Sequence, residues 1–277
     1  MLRPTALACL AAIACGGCDR VFGVEGTSFP IDASLPLEVI SFLDGSSGAY
    51  SAAVLADHPL AYYLLDETSG PTAADVAGRV DGTYVGDILY AESPAVLSEP
   101  GTSPLFDQND VDNSGVLFGN NFSFAGLAPF TLELWIFPTV DNTHTFRNVI
   151  SKWLEPSPTS AGYIIYTQDA NTLVFARDDI AGKRGQTSAP INTGGWSHVV
   201  GSYDGTNLTL SVNGNVAGTS VSPELLPPMT TNFVVGSANG NVTTNPFRGQ
   251  IDDVAIYDYA LTPEQAYAHY QAAGVAD

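Results

Sequence analysis

Thr131-Leu132-Glu133-Leu134-Trp135-Ile136-Phe137 puts Leu132, Leu134 and Ile136 on one side of an extended chain and Glu133, Trp135 and Phe137 on the other. A period of two marks a β-strand, because successive side chains point to opposite faces of a sheet. Comparable apolar runs occupy 61–65, 114–118, 148–152, 163–166, 173–177, 196–203, 207–212, 233–235 and 250–257, and the quoted strand extends over 131–138. Gly, Asn, Asp and Pro separate the runs. Asp204-Gly205 and Asn213-Gly214 stand between apolar stretches, where tight hairpin turns need residues that tolerate positive φ. About ten strands with little helix predict an all-β sandwich or jelly roll.

One helix is signalled at the end. Thr262-Pro263-Glu264-Gln265 supplies an N-cap hydroxyl, a proline at the first helical position and a glutamine able to return the capping bond, and Gly274 is placed to stop it. Residues 51–57 read as a short helical turn before Pro59. No repeat or linker interrupts 50–274, so this stretch reads as one domain.

The chain has 277 residues, a formal charge of −20 and 45% hydrophobic residues, too apolar for a disordered chain. Such acidity argues against nucleic acid, whose phosphates need a basic patch. It is compatible with cations or neutral sugars. All three cysteines (Cys9, Cys15, Cys18) lie in the first 18 residues, so the rest holds neither a disulfide nor a cysteine metal site. A body without thiols suits an exported protein that does not rely on oxidative folding.

Residues 1–17 carry Arg3 and then a short apolar core from Ala6 to Ala14, the pattern of a secretory signal. Ala14-Cys15-Gly16-Gly17-Cys18-Asp19 resembles a bacterial lipoprotein signal, which implies lipidation of Cys18, with Cys15 as the alternative residue and simple cleavage as the alternative fate. A lipidated Cys18 would hold the protein at the bacterial cell envelope or cell surface, touching the membrane through that anchor only. Residues 18–49 read as a tether, although 37–43 is apolar enough to pair or dock.

Three groups of residues carry a resemblance. They are Ala61-Tyr62-Tyr63-Leu64-Leu65-Asp66-Glu67 with Ala74-Asp75-Val76-Ala77-Gly78; Phe130-Thr131-Leu132-Glu133-Leu134-Trp135 with Trp196-Ser197-His198-Val199-Val200; and Phe247-Arg248-Gly249-Gln250-Ile251-Asp252-Asp253-Val254 running into the capped helix. In this order and spacing they resemble the laminin-G-like branch of the concanavalin A-like lectin/glucanase superfamily, over residues 50–273. The resemblance implies a jelly-roll sandwich of two antiparallel sheets with a short C-terminal helix. It implies binding of glycan or protein, often with a calcium ion at the rim, and some members of the family are enzymes.

Calcium takes roughly six to eight oxygen ligands, commonly carboxylates with backbone carbonyls. By resemblance, Asp75 precedes the family's metal loop and Asp252 matches an acidic position near its last strand, which implies one structural ion shared between them and helped by carbonyls near Gly78. Strand alternation sends Asp253 to the other face. The same carboxylates can instead cap loops through backbone N–H groups. Asp110-Val111-Asp112-Asn113-Ser114-Gly115 is not an EF-hand, because the twelfth position is Asn121 and a strand follows.

Catalytic patterns are missing. Glycoside hydrolysis needs two carboxylates about 5–9.5 Å apart, and the E-x-D-x-x-E strand pattern of the superfamily's glucanases does not occur. There is no G-x-S-x-G, P-loop, G-x-G-x-x-G or H-E-x-x-H, and His58, His144, His198 and His269 are widely spaced. His198 reads as a packed, hydrogen-bonded residue. Sugar binding needs an aromatic face beside hydrogen-bonding groups, for which Trp153, Tyr166 and Gln168 are the candidates, whereas Trp135 and Trp196 read as core. The expectation is a non-catalytic, lectin-like module for glycan or protein. A glycoside hydrolase or lyase on the same fold and a structural adhesion scaffold are the alternatives.

Overall fold

The computed structural model describes residues 48–78, 80–96, 99–106, 113–139, 146–155, 160–169 and 171–274. The readings of the leader, of Cys15 and Cys18, of the tether up to residue 47 and of Asp110-Val111-Asp112 fall outside these residues.

Helix α1 (Ala49–Ala56) leads into strands β1 (Ala61–Tyr63), β2 (Thr72–Ala73), β3 (Gly82–Val85), β4 (Ile88–Glu92), β5 (Ser103–Phe106) and β6 (Gly115–Leu117). Five longer strands follow: β7 (Phe130–Pro138), β8 (Phe146–Leu154), β9 (Ala161–Gln168), β10 (Thr172–Asp178) and β11 (Arg184–Pro190). The chain closes with β12 (Ser197–Tyr203), β13 (Asn207–Val212), β14 (Asn215–Val221), β15 (Val234–Val235), β16 (Gly249–Tyr257) and α2 (Pro263–Ala272). The first sheet runs β14-β13-β12-β7-β16-β5-β4, with β1 also paired to β16, and the second runs β11-β10-β9-β8-β15-β6-β3-β2. Every strand pair is antiparallel, as in a jelly roll.

The strand that decides the fold sits in the middle of the first sheet, between β12 and β16. Leu132, Leu134 and Ile136 turn inward and join Tyr163, Ile165, Leu173 and Phe175 of the second sheet in one buried core. Glu133 and Trp135 turn outward. There they meet Tyr50 and Val54 of α1 and Ala266 and Tyr270 of α2, so the outer face of the first sheet is roofed by both helices. The expected capping box of α2 is present: the Thr262 hydroxyl accepts from the Gln265 N–H and the Gln265 side chain accepts from the Thr262 N–H. Helix α1 has no cap of its own; Glu99 Oε1 accepts the N–H groups of Tyr50 and Ser51 instead.

Beneath the roof Glu133 has no exposed surface. Its carboxylate meets His198 Nε2 at 2.9 Å and His269 Nδ1 at 3.0 Å, and it accepts from the hydroxyls of Tyr50 at 3.1 Å and Tyr257 at 2.9 Å. His269 Nε2 continues to Asp57 Oδ2 at 3.1 Å. Burial alone would raise the Glu133 pKa, but the hydrogen bonds from the two histidines outweigh it and hold the group well below its ordinary 4.5. Burial works to lower the His269 pKa, and Glu133 and Asp57 overcome it to raise the value above the ordinary 6.5.

These opposed shifts fix a pH window. The Glu133 contribution is complete above pH 4.5 and fades as pH falls through its lowered folded value; that of His269 is complete below 6.5 and fades as pH rises through its raised one. Subtracting the melting profile of His269→Gln from that of the wild type should therefore leave a stabilisation that is largest between these limits and declines on the alkaline side. A difference that stays level up to pH 9 contradicts the arrangement. Glu133→Ala, which strands four buried partners, should cost about 3–5 kcal/mol in denaturant unfolding.

Candidate functional site

With the first sheet roofed, the outer face of the second is the open one. On it β8, β9, β10 and β11 align Trp153, Gly162, Asp178 and Arg184 in one cross-strand row. A parallel row holds Asn148, Tyr166, Val174 and Ser188, and a third holds Phe146, Gln168, Thr172 and Pro190. The connection between β15 and β16 lies along β8: the Asn148 N–H donates to Asn245 O, Asn148 Nδ2 to Thr244 O and Ser151 Oγ to Ser237 O. Between that wall and β11 lies a cavity of about 200 Å³ lined by Phe146, Asn148, Trp153, Glu155, Ile164, Tyr166, Arg184 and Asn245.

Two of the three sequence candidates for ligand binding thus meet across one groove. Tyr166 is mostly buried, and its phenol is pushed upward by burial, partly offset by Arg184. Gln168 shares the face but does not line the cavity; its amide nitrogen lies 3.4 Å from Asp169 Oδ2. Trp153 keeps only 4% of its surface exposed, packed with Ile164, Tyr166, Val174, Ala176 and Ala238, and the Arg184 guanidinium lies over its ring at 5.6 Å. Arg184 is also held in a fork by Asp178, with Nε to Oδ1 at 2.7 Å and Nη2 to Oδ2 at 2.8 Å. The aromatic face still free is that of Phe146, 43% exposed and edge-on to Tyr166 at 5.7 Å. Sequence reading passed over Phe146 because its next two neighbours, Arg147 and Asn148, are polar and hide the strand that begins there.

The two carboxylates assigned to calcium each accept backbone N–H groups. Asp75 Oδ1 accepts the N–H groups of Tyr62 at 3.0 Å and Ala77 at 2.9 Å, and Oδ2 accepts that of Val80 at 2.9 Å. Gly78, at φ 77°, closes the same turn by donating to Asp75 O. Asp75 therefore organises its loop through backbone bonds. Asp252 faces a different cavity, beside Asp66, Glu99 and Asp253. The alternation that would send Asp253 away is broken by a β-bulge, since Asp252 pairs with Trp135 while Ala255 pairs with Glu133 and Asp253 takes φ 51°.

These four acids have separate duties: Asp66 takes the Thr102 N–H, Glu99 the start of α1, Asp253 the Tyr62 hydroxyl, and Asp252 Oδ2 the Ala95 N–H. Burial, reinforced by neighbouring carboxylates, pushes Asp252 and Asp253 well above 3.8. Among the described residues no three His, Cys, Asp or Glu side chains are grouped to hold a metal ion. Asp252 Oδ1 is buried without a hydrogen-bond partner.

A laminin-G model described as the concanavalin A-like lectin/glucanases superfamily matches residues 109–266, more than half of the chain. The chain belongs to that superfamily. Among solved structures, a similar one within the same fold is domain 4 of AbnA, a GH43 extracellular arabinanase from Geobacillus stearothermophilus, in complex with arabinotriose. It is 22% identical, with 77% of this chain and 98% of that one covered and a TM-score of 0.54. The binding domain of botulinum neurotoxin serotype G is 14% identical, covering 77% of this chain and 51% of its own, with a TM-score of 0.57. The serotype D ligand-binding domain in complex with N-acetylneuraminic acid is 15% identical, covering 81% and 52%, with a TM-score of 0.56. This chain spans about half the length of those toxin domains, and at such identities the likeness shows a shared fold. No curated protein sequence matches the chain.

Gly162 stands between Trp153 and Asp178 in the cross-strand row. It takes φ 123°, and a Cβ there would lie 2.0 Å from the Lys152 carbonyl oxygen. Gly162→Ala should cost about 2–4 kcal/mol and shift the tryptophan emission to the red as Trp153 is exposed. Unchanged stability and emission would show that the row tolerates a side chain.

Proposed function

We propose that this domain is a non-catalytic, lectin-like module that binds a glycan in the groove of the second sheet, with Phe146 as its stacking platform. The observation that carries the reading is one exposed aromatic ring at a cavity whose other walls are two amides, a phenol, one carboxylate and the Arg184 guanidinium, with Trp153 and Ile164 as its buried apolar part. A sugar ring offers an apolar face to such a ring and hydroxyls to such polar groups. The cavity is smaller than the roughly 300–1,000 Å³ of ordinary small-molecule sites, which suits one sugar unit presented by a longer glycan.

The enzyme alternative needs a pair of carboxylates at the bond. Glu133 is sealed beneath two helices, Asp178 is forked to Arg184, and Glu155 is the one carboxylate lining the groove. The proposal also places the domain outside the cytoplasm, held at the cell envelope or surface by lipid on Cys18; the leader-like residues 1–17 and the thiol-free body support it. Calcium enters the reading at Asp252 Oδ1, a buried oxygen without a hydrogen-bond partner.

Titration with neutral oligosaccharides, arabinotriose among them, tests the module. Phe146→Ala should weaken binding roughly ten- to hundredfold, the worth of burying one such ring, while leaving the melting temperature nearly unchanged. Hydrolysis of any of these sugars at enzymatic rates overturns the non-catalytic reading. Saturating calcium should raise stability relative to EDTA by about 2.7 kcal/mol at a hundred times its dissociation constant, and Asp252→Asn should abolish the rise. Equal melting in calcium and EDTA, with no metal found by elemental analysis, removes calcium from the reading.

A further inference from the structure

The groove contains one cation, and it is committed twice. Arg184 lies against the face of Trp153 and gives its Nε/Nη2 edge to Asp178, whose side chain is 5% exposed while that of Arg184 is 40% exposed. The carboxylate cancels the charge at close range and occupies the edge that would best grip a ligand carboxylate side-on. What remains nearby is Glu155, exposed on the groove wall. Three further cations of these strands are spent inside the fold, and Arg147 donates to Pro246 O. Lys152 Nζ donates to Asn120 Oδ1, Asn121 O and Thr231 O, and Arg177 donates to Ser222, Gly126 and Glu224 oxygens and packs over Tyr203. The whole chain adds a formal charge of −20.

On the reading that this groove binds glycan, we infer that Asp178 is a specificity-determining residue that restricts the site to neutral sugars, by neutralising Arg184 and so rejecting uronic and sialic acids. The discrimination works by exclusion. A carboxylate-bearing sugar entering the groove would give up water, find the guanidinium already paired, and meet Glu155 at close quarters. A neutral ring loses nothing comparable, and the unused N–H groups of Arg184 remain available to its hydroxyls. Asp178 acts through Arg184, so removing its charge should change which sugars bind and leave the fold and the neutral affinity largely in place. Sequence alone gives no hint of this pairing, because Asp178 and Arg184 face each other only through the register of β10 and β11.

The test is direct binding by the full-length chain of three probe sets: neutral trisaccharides (arabinotriose, xylotriose, cellotriose), trigalacturonate, and glycans ending in N-acetylneuraminic acid. The wild type should bind at least one neutral probe and neither acidic set. Asp178→Asn, isosteric and uncharged, should gain binding to an acidic set by about tenfold or more at low salt, with the gain lost at high salt as expected for a freed guanidinium. Its affinity for the neutral probe should stay within about twofold, and its stability is followed separately by melting, since the pair lost is bidentate and Asp178 is mostly buried. Arg184→Gln supplies the control: it should bind no acidic probe, alone or combined with Asp178→Asn. Wild-type binding of an acidic probe as tight as any neutral one overturns the inference and leaves the glycan reading standing. So does an Asp178→Asn protein that folds, binds the neutral probe and still ignores the acidic ones. No binding of any probe by the wild type overturns the glycan reading and this inference with it.

Discussion

A carboxylate stripped of water cannot remain charged without partners, and Glu133 is such a carboxylate in the middle of the first sheet. Its partners come from four places: His198 on β12, Tyr257 on β16, Tyr50 on α1 and His269 on α2. The network therefore ties the first and last described elements of the domain to its central strand. Any one contact is replaceable, but the set is not, because removing the carboxylate leaves buried donors unpaired and removing a histidine leaves a buried charge under-compensated. Roofing that sheet has a functional consequence. It hides the only acid of the best-patterned strand and leaves the other sheet as the surface on which a ligand can act.

The charge of the chain is spent in a similar way. Many of its acids serve as backbone acceptors in turns, as Asp75, Asp179 and Asp204 do, each gathering two or three N–H groups that a loop would otherwise leave exposed. A sandwich with this many connections needs such acceptors, so an acid at a loop is by itself weak evidence for a metal. Among the described residues, four cations (Arg147, Lys152, Arg177 and Arg184) lie instead in the strands around the groove. An acidic protein that binds sugar is then most at ease with a ligand carrying no charge.

Much of the fold was legible because the long strands carry their own pattern. The runs at 207–212 and 250–257 correspond to β13 and β16 with at most one residue added, and the capping box of α2 is written in Thr262 and Gln265. The strands that escaped reading are of two kinds. Strands β2 to β5 are short, with a bulge in β4 and a proline in β5, and β11 and β14 are rich in Gly, Ser and Thr at sheet edges, with the register of a neighbour as their main support. The groove was half legible. Trp153 and Tyr166 announce themselves as aromatics beside polar residues, but no alternation rule reports that an arginine from β11 will cover one of them. Nor does any rule report that one extra residue at Asp253 will turn two consecutive carboxylates toward the same cavity. Both are facts of register, decided by pairing across the sheet.

The stack of Trp153, Arg184 and Asp178 also limits how tightly one site can bind. It holds the wall of the groove rigid, which lowers the entropy lost when a ligand settles. In the proposed glycan reading the same stack takes the largest aromatic ring from the ligand and leaves the stacking to Phe146, beside an open cavity of modest volume. One platform and a few hydrogen bonds place a single engagement among weak interactions, because water competes for every hydroxyl. A module of this kind holds firmly when many copies are fixed to one surface and face a polymer that repeats its sugar, since each engagement after the first is paid for at the effective concentration of the surface. Anchoring at a membrane through Cys18, as proposed, would supply that condition, and a neutral repeating glycan would supply the other half. The weakness of the single site is then a reason to expect an anchor rather than an argument against binding.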